Sequence, residues 1–203
     1  MGRSKREALA PGEGERRAQR GYVPQYDLAA NAVHEAIADG TLNWIGLADR
    51  SAGNFDDLVL GLSDRIIAHQ IKTSSKPKKF NVRTLLLGSS ALLASLVSVW
   101  KKLQDKEGLP IEVHYVCDDV PADDDGTEKS RLGPSSAAFL RTLDANRFTR
   151  SLEEWLASPY GGFISDLESA SGLQQQEFAQ FLSSVRFLHS SQGRRAGSWG
   201  RHH

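Results

Sequence analysis

The stretch from Phe55 to Ser75, FDDLVLGLSDRIIAHQIKTSS, constrains the fold of this chain more than any other. Val59, Leu60 and Leu62 form one apolar run, Ser63-Asp64 supply turn chemistry, and Ile66, Ile67, Ala68 and Ile71 form a second run. The spacing predicts a β-hairpin. Gln70 and Lys72 interrupt the second run two residues apart, so on a strand they point to the same face. With a two-residue turn at Ser63-Asp64, Leu62 faces Arg65 and Asp57 falls opposite Gln70. A four-residue loop shifts the pairing by two and keeps the face, whereas an odd loop or a bulge exchanges Asp56 for Asp57. Even loops therefore gather an acid, an amide and an amine on one side of a sheet, the donor set of a metal site with a lysine beside it.

Regular elements are predicted on both sides of this hairpin. Residues 1–20 are rich in Arg, Glu, Gly and Ala without periodicity and read as a disordered arm. Leu28, Ala32, Val33 and Ile37 predict a helix over Pro24–Ala38, with Pro24 in its first turn and Asp39-Gly40 as its stop. Glu35 on that helix is expected to face solvent. Thr41–Ala48 alternates as a strand, and Thr73–Lys79 follows the hairpin as a basic loop. Thr84–Asp105 reads as one helix with Leu92, Leu96 and Trp100 on its apolar face, and Ile111–Cys117 reads as a buried strand. The element order is αβββαβ. Residues 121–134, with Asp118-Asp119 ahead of them, read as a solvated acidic linker. Residues 135–190 read as a helical extension whose last apolar set is Phe178, Phe181, Leu182, Val185 and Leu188, and residues 191–203 as a disordered tail.

Charge excludes little. The 203 residues carry 25 basic and 25 acidic side chains, so any nucleic-acid surface must be a local patch, such as Lys76, Lys78 and Lys79 around Pro77. Cys117 is the single cysteine, which rules out an internal disulfide and suits a cytoplasmic setting. Neither His114 nor Cys117 has a partner at metal-ligand spacing, so no zinc site is expected. The first residues lack an apolar signal region, and the apolar run from Leu85 to Trp100 is broken by Gly88 and several serines. It is shorter than the roughly 20 residues of a bilayer span, so a buried helix and no membrane association are expected.

The hairpin residues resemble the PD-(D/E)xK nuclease superfamily, in which an acid begins one core strand and an acid-x-lysine follows on the next. Here the pattern reads Asp57, then Gln70-Ile71-Lys72, with Gln in place of the second acid. The chain is also similar to the N-terminal nuclease domains of bacterial anti-phage effectors, those of cyclic-nucleotide-activated systems and of STAND-type NTPases. The matching pieces are Gly21-Tyr22-Val23-Pro24-Gln25, Asp56-Asp57-Leu58-Val59-Leu60 and His69-Gln70-Ile71-Lys72-Thr73, within a resemblance that runs from about Gly21 to Gly193. It implies an α/β, restriction-endonuclease-like αβββαβ core over residues 21–120 with a mixed central sheet.

The resemblance further implies an Mg²⁺-dependent endonuclease, with Mn²⁺ as a substitute, acting on double-stranded DNA in antiviral defence. Asp57, Gln70, Lys72 and Gln25 are the implied catalytic residues. Asp57, Gln70 and the Ile71 carbonyl are the implied metal ligands, and Lys76, Lys78 and Lys79 the implied DNA-backbone contacts. Gln70 in place of an acid removes one negative charge, so metal binding would lean on substrate phosphates. No phosphate loop of the G-x-x-x-x-G-K-[ST] type is present. A sensor or NTPase is therefore expected as a separate domain or subunit, and a homo-oligomer would suit cutting both strands. The competing expectation is a catalytically silent module that binds nucleic acid or a partner protein.

Overall fold

The computed structural model describes residues 13–47, 58–74, 76–89, 92–123 and 135–189. Its framework is a five-stranded mixed sheet. The first three strands are β1 (Leu42–Gly46), β2 (Leu58–Leu62) and β3 (Ile66–Lys72), antiparallel in succession. Then β5 (Ile111–Cys117) adds parallel to β3, and β7 (Val185–His189) adds parallel to β5. A second, two-stranded sheet, β4 (Lys79–Phe80) with β6 (Val120–Pro121), continues the chain just past the carboxyl ends of β3 and β5.

The central strands are buried on both faces, and their alternation sorts the core. Ile66, Ala68, Val113, Val185 and Phe187 point to one side, where they meet α3 (Leu92–Glu107) and the helices after β5. Leu58, Leu60, Leu62 and Ile67 point to the other side, against α1 (Glu13–Ala38), as do Ile71, Val116 and Leu188. The αβββαβ order expected from periodicity is therefore present, in a mixed α/β sheet.

Four readings of the sequence need correction. First, α1 starts at Glu13, so residues 13–20 are helical and not part of a disordered arm, and position 24 lies well inside the helix. Glu, Arg, Ala and Gln are good helix formers, and a search for an apolar stripe does not register them. Residues 1–12 and 190–203 lie outside the described residues. Second, the helix read as continuous is two, α2 (Val82–Leu87) and α3. The Asn81 side chain caps α2 by accepting from the Thr84 N–H, and Gly88 closes it by donating to the Thr84 carbonyl. A Cβ at Gly88 would lie 2.2 Å from that carbonyl oxygen, so the closure needs glycine.

Third, the chain after β5 is not an appendage. The helices α4 (Ser136–Asn146), α5 (Leu152–Leu156), α6 (Gly161–Ser171) and α7 (Gln175–Ser184) complete the main core through Phe139, Trp155, Phe163 and Phe178. The last apolar set is split. Phe178, Phe181 and Leu182 are helical, but Val185 and Leu188 belong to β7, where they face opposite sides of the sheet. A spacing of three and four residues across the helix–strand junction mimics helical periodicity. Fourth, Asp118 and Asp119 are not solvated linker residues. Both Asp118 carboxylate oxygens accept from the Ser74 N–H, at 3.0 and 2.8 Å, and Asp119 accepts from the Lys78 N–H at 2.8 Å. Of the remaining linker, residues 124–134 lie outside the described residues. Among the described residues no helix is long and apolar enough to cross a membrane.

Candidate functional site

The hairpin register is the one expected from a two-residue turn. The Leu62 N–H donates to the Arg65 carbonyl at 2.8 Å, and Leu58 pairs with His69, Val59 with Ala68 and Leu60 with Ile67. Asp57, the acid of the proposed set, lies outside the described residues. Alternation from Ile66 and Ala68 assigns Gln70 and Lys72 to the face that carries α2 and α3. Gln70 is 6% exposed, whereas Lys72 is exposed at the carboxyl end of β3. In an open α/β sheet the carboxyl edge of parallel strands is the usual place for a ligand.

Gln25 approaches from the opposite face. Its Nε2 donates to the backbone carbonyl of Ile71 at 3.1 Å, while the Ile71 side chain packs against Leu28 and Ala29 of α1. Of the predicted set, Gln25, Gln70, Ile71 and Lys72 thus lie at one strand segment, and Gln25 meets that segment through the Ile71 main-chain carbonyl. Lys76, Lys78 and Lys79 are all exposed. Their loop is held at one end by Asp118 and Asp119 and at the other by the β4–β6 ladder, where the Val120 N–H donates to the Lys78 carbonyl. Lys79 also approaches Asp123 at 3.9 Å.

Magnesium calls for several hard oxygens. The described part of the proposed set offers two neutral ones, the Gln70 amide and the Ile71 carbonyl. The latter already accepts from Gln25. Among the described residues no three His, Cys, Asp or Glu side chains come together as a metal-holding group. The fit to a divalent ion therefore depends on Asp57 and on phosphate oxygens brought by a substrate. Cys117 pairs with Lys72 in the parallel register, but burial, with the Asp119 charge adding to it, pushes its thiol up to about 12. It is no nucleophile at neutral pH.

A second polar cluster occupies the α1 face of the sheet, and sequence reasoning did not assemble it. Glu112 Oε2 lies 2.9 Å from His114 Nε2, 3.4 Å from Arg147 Nη1 and 4.0 Å from Arg186 Nη1, and its Oε1 lies 3.5 Å from Arg65 Nε. Burial works to raise the Glu112 carboxyl, but the His114 hydrogen bond and the surrounding positive charges outweigh it and hold the group at about 2. Burial also holds the His69 and His114 imidazoles below their ordinary range, and their rings meet edge to face at 4.9 Å. The available signal was Glu112-x-His114, an acid and an imidazole two residues apart on one strand face. Glu35, expected to face solvent, is half-buried on the inner side of α1.

No protein-family model matches the chain, and no curated protein sequence matches it.

Proposed function

We propose that this chain is a metal-dependent endonuclease domain of the restriction-endonuclease-like kind, hydrolysing phosphodiester bonds of double-stranded DNA. The observation that carries the reading is the hairpin register, which is the one on which Asp57 is expected to face Gln70, with Lys72 on the same side at the carboxyl edge of β3. The αβββαβ order supports it. Asp57, Gln70 and the Ile71 carbonyl would hold Mg²⁺ or Mn²⁺ together with the scissile phosphate. The bound ion would supply Lewis acidity at the phosphorus-bound oxygen. Lys72 would orient the attacking water or offset the charge that builds up in the transition state. Gln25 would set the height of the Ile71 carbonyl, and Lys76, Lys78 and Lys79 would follow the DNA backbone. Cytoplasmic anti-phage defence, a partner that senses and activates, and self-association belong to the same proposal.

One observation favours a second reading, a silent module that binds nucleic acid or a partner protein: the described donors are neutral, and Gln70 is nearly fully buried. The two readings separate in one experiment, with supercoiled plasmid incubated with the protein and Mg²⁺ or Mn²⁺ beside Asp57→Ala and Lys72→Ala. Nicking by the wild type that both variants lose supports the nuclease. Nicking retained in both variants overturns the site. DNA retention in a gel without nicking favours the silent module.

A further inference from the structure

On the face of the sheet away from Gln70 and Lys72, a cavity of about 150 Å³ lies between α1 and the strands. Its roof is the inner side of α1, with Ala32 and Glu35, and its floor includes Leu60, Ile67, Val116 and Leu188. Four buried polar atoms on its lining have no protein hydrogen-bond partner among the described residues: Glu35 Oε1, His69 Nε2, His114 Nδ1 and Arg65 Nε, the last of which lies 3.5 Å from Glu112 Oε1 as an ion pair. The two histidines are 8% and 4% exposed.

Two of the four atoms, His114 Nδ1 and Glu35 Oε1, are acceptors. A carboxylate only accepts, so the 2.9 Å contact between Glu112 Oε2 and His114 Nε2 fixes the proton on Nε2 and leaves Nδ1 as a buried lone pair with no donor. The Glu35 carboxyl oxygen is also an acceptor. These two acceptors do not satisfy one another, and the Arg65 guanidinium on the same lining is drawn toward Glu112 and Asp64 by ion pairs at 3.5 and 3.2 Å. An occupant that satisfies Glu35 and His114 must bring its own N–H or O–H groups while the remainder of it meets aliphatic walls. A cavity of this volume in another protein accepts a benzene-sized ring.

We propose that the space beneath α1 is a binding site for a small planar ring that carries hydrogen-bond donors, such as an amino- or hydroxy-substituted aromatic or N-heterocycle. The site is independent of the nuclease reading. Ile71 and Leu28 also line it, so an occupant touches the strand and the helix that Gln25 ties together.

The test uses four probes of similar size with the full chain: phenol and 2-aminopyridine, which donate, and toluene and benzoate, which do not. Binding is followed by ¹H–¹³C NMR of the histidine ring signals and by the thermal midpoint. Phenol or 2-aminopyridine should shift the His69 and His114 signals saturably and bind at least tenfold more tightly than toluene or benzoate. Ala32→Leu, which fills the cavity from the helix, and Ile67→Phe, which fills it from the sheet, should each abolish the shifts. A cavity that takes only solvent gives no saturable shift with any probe and overturns the proposal. Equal binding of toluene overturns the donor requirement, and binding that survives a folded filling variant overturns the location.

Discussion

Asp118 and Asp119 are expected to act as local clamps on the basic loop, and their removal gives a quantitative check on how that loop is ordered. Each carboxylate accepts from a main-chain N–H, Asp118 from Ser74 and Asp119 from Lys78. A hydrogen bond to a charged group contributes about 1.5–3 kcal/mol, and these are exposed, so solvent brings them toward about 1–1.5 kcal/mol. Losing that much from a local opening equilibrium speeds amide exchange about five- to tenfold. In Asp118→Ala the Ser74 amide should exchange faster by that factor while Lys78 changes little, and in Asp119→Ala the pattern should reverse. Amides of β3 should be unaffected in both, because their ladder to β5 is untouched. Residue-resolved hydrogen exchange by NMR measures all of this in one series. Unchanged exchange at Ser74 and Lys78 would refute the clamp. Equal acceleration across β3 would mean that the carboxylates support the sheet edge and not the loop. The series also informs DNA binding: both variants lose negative charge beside three lysines, so weaker retention of DNA despite that change would mean that loop order outweighs charge.

Other outcomes follow from the same geometry. Gly161→Ala should destabilise the protein by about 3 kcal/mol in urea unfolding, because the added Cβ would lie 1.9 Å from the Leu156 carbonyl oxygen, a backbone atom that cannot rotate away. His114 is held neutral by burial, with a folded pKa below 6.5, so the unfolded chain binds more protons as pH falls beneath 6.5 and stability drops there. His114→Gln, which keeps a donor for Glu112, should make that part of a stability-versus-pH curve shallower and leave the share contributed by His69, whose imidazole is also held down by burial. Glu112, held at about 2 against 4.5, contributes stability that is fully present above 4.5 and lost as pH falls through 2. The full difference corresponds to about 3 kcal/mol, read as a second decline in the same curve. Gln25→Leu removes one part-buried hydrogen bond and should cost about 1 kcal/mol in the same assay.

What was legible in the sequence was local. The Ser63-Asp64 turn, with alternation on either side of it, sets the β2–β3 register, and Ile111–Cys117 is apolar enough to mark a buried strand at its true limits. The functions of Asp118 and Asp119 were hidden because their partners, Ser74 and Lys78, lie more than forty residues away and are main-chain groups, which have no signature in the sequence. The Glu112 cluster was hidden for a related reason. Arg65, Arg147 and Arg186 reach it from β3's entry, the end of α4 and β7, and only the completed sheet makes them neighbours. The strand β7 was misread because Val185 continues the helical spacing of Phe178, Phe181 and Leu182, and the change of period shows only when Phe187 is found to pair with Tyr115.

The place of β7 also matters for how the chain acquires its fold. Val113 and Val185 are register partners about 70 residues apart, and four helices must be made before the second of them exists. At roughly 5–20 residues per second, a ribosome takes several seconds to cover that distance. Throughout that interval β5 is an unpaired sheet edge with hydrogen-bonding groups open to other chains. The nascent protein is therefore most vulnerable to aggregation late in its synthesis, and release of a chain broken off before Val185 leaves that edge open permanently.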